Sequence, residues 1–207
     1  MDRDGEVKSM SEAKPSKQQL SVDLAIVNDF VEGLAAAPPE ADGFIVVAEE
    51  LRNVTGAKVV SISSYDSTTA ELVVKHLAPS GRLLASLNRL LGRDIIGMRM
   101  AVLPEMRQEM FSTVVSPAMD VSELTFGVIP DPVGALIQEV LRLGTIKALL
   151  ISHGEEIIAT IVIVMGHGQS VPSDEVLHVL ARVAALTLLR KRAEQTTVAR
   201  AAAANSA

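Results

Sequence analysis

The sequence contains no cysteine, so thiolate nucleophiles, disulfides, iron–sulfur ligation and cysteine-based zinc sites are all excluded. Histidine is then the residue type left to hold a metal or a haem, and there are four. A single proximal histidine can hold a haem iron. His76 lies in a run of strand character, Ala70 to Leu77, where simple alternation places it on one face with Leu72 and Val74. It is the candidate haem ligand, set against the plainer reading of a hydrogen-bonded strand histidine. His153 precedes a glycine in a turn, and the spacing of His153, His167 and His178 fits no zinc pattern.

Groups for catalysis do not assemble. Gly166-His167-Gly168 lacks the third glycine of a phosphate loop, and no serine sits in a nucleophile elbow. Asp120, Glu123 and Asp131 read as solvated carboxylates or, less simply, as a cation site. The expectation is a chain that is not an enzyme. Two further groups have binding chemistry. Ser61, Ser63 and Tyr65 alternate with Val60 and Ile62, so one strand face is hydroxylated and the other apolar. Arg99, between Met98 and Met100, offers a fork of donors to an anion or to water. Met98, Met100, Met106, Met110 and Met119, with Phe111 and Phe126, suit either an adaptable wall or ordinary core filling.

The elements that must carry these residues are legible from periodicity and punctuation. Helices are predicted over 21–36, ended by Pro38-Pro39, and over 41–54, ended by Gly56. A hairpin follows, 58–65 and 70–77, turned by Asp66-Ser67-Thr68-Thr69. The middle is irregular: a helix over 81–91, an extended piece over 94–103, a short helix from Pro104 to Phe111, and a helix capped by Asp131 and ended by Gly144. Ile146 to Ile151 and Glu156 to Met165 form a second hairpin, whose second strand is apolar on both faces like a covered central strand. Ser173 caps a last helix. Val176, Leu180, Val183 and Thr187 repeat along it at four-three-four spacing, and Val27, Phe30 and Leu34 form the stripe of the first helix. Residues 1–19 are expected to be a disordered lead and 196–207 a frayed alanine-rich tail, leaving 20–195 as one α/β domain.

The net charge is −6 and no basic stripe interrupts it, which argues against nucleic acid. Aromatic residues are 2% of the chain, so stacking on bases is also disfavoured. The longest apolar run, 157–165, is about half the ~20 residues a membrane helix needs. With no signal-peptide pattern at residues 1–17, the expected location is the cytoplasm.

The order helix, helix, hairpin, helical middle, hairpin, helix resembles a GAF domain. Leu51 to Asp66 is similar to that family's entry into its first strand. Residues 90–99, LLGRDIIGMR, resemble the mid-domain segment of GAF domains in sensor histidine kinases, and residues 149–164 resemble the late hairpin. The family often has glycine where this chain has Ala159. The cyclic-nucleotide motif Asn-Lys-Phe-Asp-Glu is missing, and activities that need cysteine, including covalent bilin attachment, cannot operate. The resemblance implies a central antiparallel sheet, terminal helices on one face and a ligand pocket under the middle segment on the other. It implies a small-molecule sensor, with Ser61, Ser63, Tyr65, His76, Met98, Arg99, Met100, Phe111 and Phe126 as candidate pocket residues and haem as one candidate cofactor. It further implies a homodimer through Val27, Phe30, Leu34, Val176, Leu180, Val183 and Thr187. The output would lie on a separate kinase or other partner, or on a longer chain of which this is a piece. A ligand-free docking module is the alternative.

Overall fold

The computed structural model describes residues 17–104 and 113–204, with side chains from 18 to 197 within those limits. The first hairpin pairs β1 (Val59–Asp66) with β2 (Glu71–Ala78). Its turn is closed by the Asp66 carboxylate, which accepts from the Thr68 N–H at 2.9 Å and the Thr68 hydroxyl at 2.5 Å. A short β3 (Arg99–Ala101) adds to the outer side of β2. The long hairpin of β4 (Leu143–His153) and β5 (Glu156–Gly166) joins through β5 to β1. The result is a five-stranded antiparallel sheet in the order β3-β2-β1-β5-β4.

Strand alternation divides the core into two layers. Val60 and Ile62, together with Leu149, Ile151, Ile161 and Ile163, face α1 (Lys17–Ala36), α2 (Gly43–Thr55) and α6 (Asp174–Ala204). Phe30, Leu51, Leu177 and Leu180 fill that layer and are fully buried. The Asp42 carboxylate caps α2 by accepting the N–H groups of Phe44 and Ile45, and Gly56 ends it at φ 65°, a left-handed stop that glycine adopts without steric cost. Buried Lys191 on α6 donates to the carbonyls of Pro38 and Pro39 at 2.8 and 2.6 Å, fastening the α1–α2 loop to the last helix.

The other sheet face carries Val59, Leu72, Val74, Leu77, Val162 and Val164. Over it lie α3 (Arg82–Leu91), a strap at residues 113–119, α4 (Val121–Leu124) and α5 (Asp131–Val140). The strap covers the outer edge of β4. The N–H groups of Ser116 and Met119 donate to the Ala148 and Ile146 carbonyls, and the Leu150 N–H donates to the Val114 carbonyl. Edge groups that would otherwise template another strand are thus occupied.

Several expected boundaries shift. Helix α1 starts at Lys17, inside the segment expected to be a lead, and α6 runs to Ala204 through most of the expected tail. The extended piece at 94–103 reduces to three strand residues. Beyond Pro104, the short helix expected to end at Phe111 falls outside the described residues. Pro130, not Asp131, is the N-cap of α5, and that helix ends at Val140 rather than at Gly144. Arg142 turns the chain at φ 47°. Gly144 belongs to β4, where an added Cβ would lie 2.5 Å from the Gly166 carbonyl oxygen. Its role is close approach of two strands, not helix termination.

Candidate ligand site

Between the sheet and the middle segments lies a cavity of about 670 Å3. Its floor is the sheet face of Val59, Ser61, Ser63, Leu72, Val74, Thr160, Val162 and Val164, and Ala148 adds the β4 side. Leu87 and Leu91 of α3, Ile95, and Met98 and Met100 around β3 form one wall. The opposite wall is the strap with Met119, then Val121 and Leu124 of α4, Phe126, Ile129 and Ile137. The sequence builds the α4 wall by a reciprocal cap: the Asp120 carboxylate accepts the Glu123 N–H at 2.8 Å, and the Glu123 carboxylate accepts the Asp120 N–H at 2.9 Å. Such a capping box satisfies two helix-end donors at once.

The polar groups of the lining divide by whether they already have partners. The Ser116 hydroxyl accepts from the Ala148 N–H and donates to the Pro117 carbonyl, both at 2.8 Å. Thr125 donates to the Val121 carbonyl and accepts from the Ile129 N–H. Ser61, Ser63 and Thr160 differ: among the described residues their hydroxyls bond to no other residue. Ser63 and Thr160 stand directly opposite each other across β1 and β5, and both are buried. Neither hydroxyl oxygen is sealed off, so the two give an otherwise apolar cavity floor a pair of groups that can both donate and accept. Glu123 is the one charged side chain among the described lining.

No protein-family model matches the sequence, and no curated protein matches it. Solved structures do match. The GAF domain of a phosphoenolpyruvate-protein phosphotransferase from Coxiella burnetii superposes with a TM-score of 0.58 at 15% identity, over 85% of this chain and 98% of that one. A phycoerythrobilin-bound GAF domain from a cyanobacterial phytochrome gives 0.51 at 14% identity, over 87% and 100%. The corresponding domain from an Acinetobacter phosphotransferase gives 0.52 at 10% identity, over 86% and 97%. The fold is the GAF fold. Its sheet has the terminal helices on one face and the cavity under the middle segment on the other.

Within this GAF fold the expected site residues separate. Ser61, Ser63, Met98, Met100 and Phe126 line the cavity. Tyr65 packs against the same layer but does not line the cavity. His76 is on the wrong face. Ile62 pairs with His76 and Ser63 with Val74, so exposed Lys75 is an extra residue in the ladder. Such a bulge reverses alternation beyond it. His76 therefore points to the helical layer, where its Nε2 lies 3.0 Å from Glu49 Oε1, and the haem reading loses its ligand. Arg99 also turns outward and pairs with Glu71 at 2.7 Å. Phe111, like Met106 and Met110, lies outside the described residues.

Sequence reasoning missed Thr160, Val162 and, apart from Met119, the strap. Thr160 had a signal, as the one hydroxyl in an otherwise apolar run from Ile157 to Met165. The residues expected at a dimer face also move. Phe30, Leu34, Val176 and Leu180 are buried in the core of the chain itself, while Val27, Val183 and Thr187 are half-buried. The apolar residues that α1 does expose are Leu20, Val22, Leu24 and Val31. No described helix is long and apolar enough to cross a membrane.

Proposed function

We propose that this GAF-fold chain is a non-catalytic sensory or regulatory domain. A small molecule occupies the cavity, and its occupancy biases the arrangement of the terminal helices. The observation that carries this reading is the cavity itself. Its volume of about 670 Å3 falls in the range of about 300–1,000 Å3 typical of small-molecule sites, and its lining is mainly apolar with a few polar groups. The neighbour with bound phycoerythrobilin supports a ligand-binding use of this fold.

Strand β5 is the physical route from cavity to helices. Val162 and Val164 line the cavity, while the alternating Ile161 and Ile163 pack in the layer of Leu177 and Leu180 on α6. A ligand shifts the helices only in proportion to its differential affinity for two arrangements. An output partner, such as a kinase, would read that shift at the terminal helices. Native mass spectrometry of the freshly purified protein, compared with its denatured mass, tests the reading. Extra non-covalent mass is expected, and it should disappear from a variant whose cavity is blocked by Val162→Trp. Extra mass that survives the blocking substitution would sink the cavity reading.

A second reading is a ligand-free dimerisation module. It is favoured by exposed Leu20, Leu24 and Val31 with half-buried Val27, a four-three-four seam of helix-pairing type. Sedimentation of Leu24→Glu beside the parent chain tests it. Two monomers of equal mass would rule it out.

A further inference from the structure

The cavity also specifies what kind of molecule it takes, an inference that rests on the cavity being the ligand site. Three features of its described lining narrow the choice. First, the lining holds no cation, and its one charged group, Glu123, is exposed and already accepts the Asp120 N–H. A carboxylate or phosphate entering there would lose its water without gaining a counter-charge, and an ammonium would have to compete with a helix cap. Second, Phe126 is the one aromatic side chain among the described lining residues. Flat heteroaromatic ligands rely on stacked rings, and the walls here are instead the aliphatic chains of Leu, Val and Ile with two methionines beside β3. Third, the open hydroxyls are not scattered. Ser63 and Thr160 are cross-strand partners, and Ser61 lies two residues along the same face of β1.

We infer that the ligand is an uncharged, largely aliphatic molecule with one hydrogen-bonding head group, bound with its head at Ser63 and Thr160 and its chain along the aliphatic wall. A hydroxyl, ester or ketone meets this requirement, because each serine or threonine hydroxyl both donates and accepts. The two side chains supply a donor and an acceptor to a ligand hydroxyl, or two donors to a ketone or ester carbonyl. Elsewhere the ligand gains by removing apolar surface from water.

Titration calorimetry with three probes of one chain length separates the possibilities: decan-1-ol, decanoate and decylammonium. Each is measured against the parent chain, Ser63→Ala, Thr160→Val and the blocked Val162→Trp. Decan-1-ol should bind the parent about tenfold or more tightly than either charged probe, the discrimination expected when a charge is buried unpaired. Ser63→Ala and Thr160→Val should each weaken decan-1-ol by about two- to tenfold, the span of one ordinary hydrogen bond. A charged probe that binds as tightly as decan-1-ol, and is lost in Val162→Trp, would overturn the uncharged-ligand inference while leaving the cavity as the site. Decan-1-ol binding that persists unchanged in Val162→Trp would overturn both. Should Val162→Trp fail to fold, the two hydroxyl variants still decide: unchanged decan-1-ol affinity in both overturns the head-group assignment.

Discussion

Thr160→Val should make the ligand-free protein more stable, the reverse of what most buried substitutions do. Valine keeps the β-branched shape of threonine and replaces the hydroxyl by a methyl. Thr160 is 8% exposed and lies in the central strand β5, and its hydroxyl has no hydrogen-bond partner among the described residues. An unsatisfied hydroxyl costs about 1–3 kcal/mol by mutational measurement, and one that borders a cavity recovers part of this from water. A gain of about 0.5–1.5 kcal/mol is therefore expected for the variant. For a chain of this size that corresponds to a rise in Tm of about 1–6 °C. The assay is urea and thermal denaturation of both proteins after delipidation, followed by the same measurement with decan-1-ol. The parent should gain more from the probe than the variant, so the difference narrows or inverts when ligand is present. A site held at a stability cost is the usual signature of function. A loss of stability of about 1 kcal/mol or more in the ligand-free variant would refute the reasoning, since the hydroxyl must then already be satisfied in the free protein.

Three other perturbations probe the frame around the site. Lys191→Met removes a buried donor from the carbonyls of Pro38 and Pro39; a loss of about 1–3 kcal/mol in urea unfolding is expected. Leu177→Ala empties a fully buried position between α6 and the sheet and should cost about 2–5 kcal/mol by the same measurement. The Asp66 carboxyl is held below its ordinary value of 3.8, first by the Thr68 hydroxyl and then by the Thr68 N–H. A depressed carboxyl contributes stability that is complete above its unfolded value and lost as pH falls through the folded one. Thr68→Val should move the Asp66 titration upward by NMR and lower stability slightly at neutral pH, with the difference from the parent fading as pH falls through the folded value.

Most of the architecture is legible because it rests on period and punctuation. The alternation of Val60 and Ile62 with Ser61 and Ser63 assigns both faces of β1, and the apolar run of β5 announces a strand covered on both sides. Three features escape for stated physical reasons. The bulge at Lys75 adds one residue to a ladder without any compositional mark, so His76 reads as a companion of Val74 when it faces the opposite layer. Amphipathic stripes report that a helix face is buried but not against what. The stripes of Phe30 with Leu34 and of Val176 with Leu180 close on the sheet of the same chain, and the exposed seam at Leu20, Leu24 and Val31 lies on another face of α1. The strap at 113–119 has no period, and its one signal, Ser116-Pro117, marks a turn without saying what the segment lies against. It is held by backbone groups of the β4 edge, and only the folded sheet presents those.

The most direct test of the cavity as the functional site is a methyl NMR titration of the intact chain with decan-1-ol. The methyl groups of Leu72, Val74, Met100 and Val162 should shift together and saturate, with smaller changes relayed to Leu177 and Leu180 across β5. Shifts confined to Leu20, Leu24 and Val31 would place the interaction on the outer face of the first helix, and a spectrum that does not move would leave the cavity without a ligand of this class; either result contradicts the account.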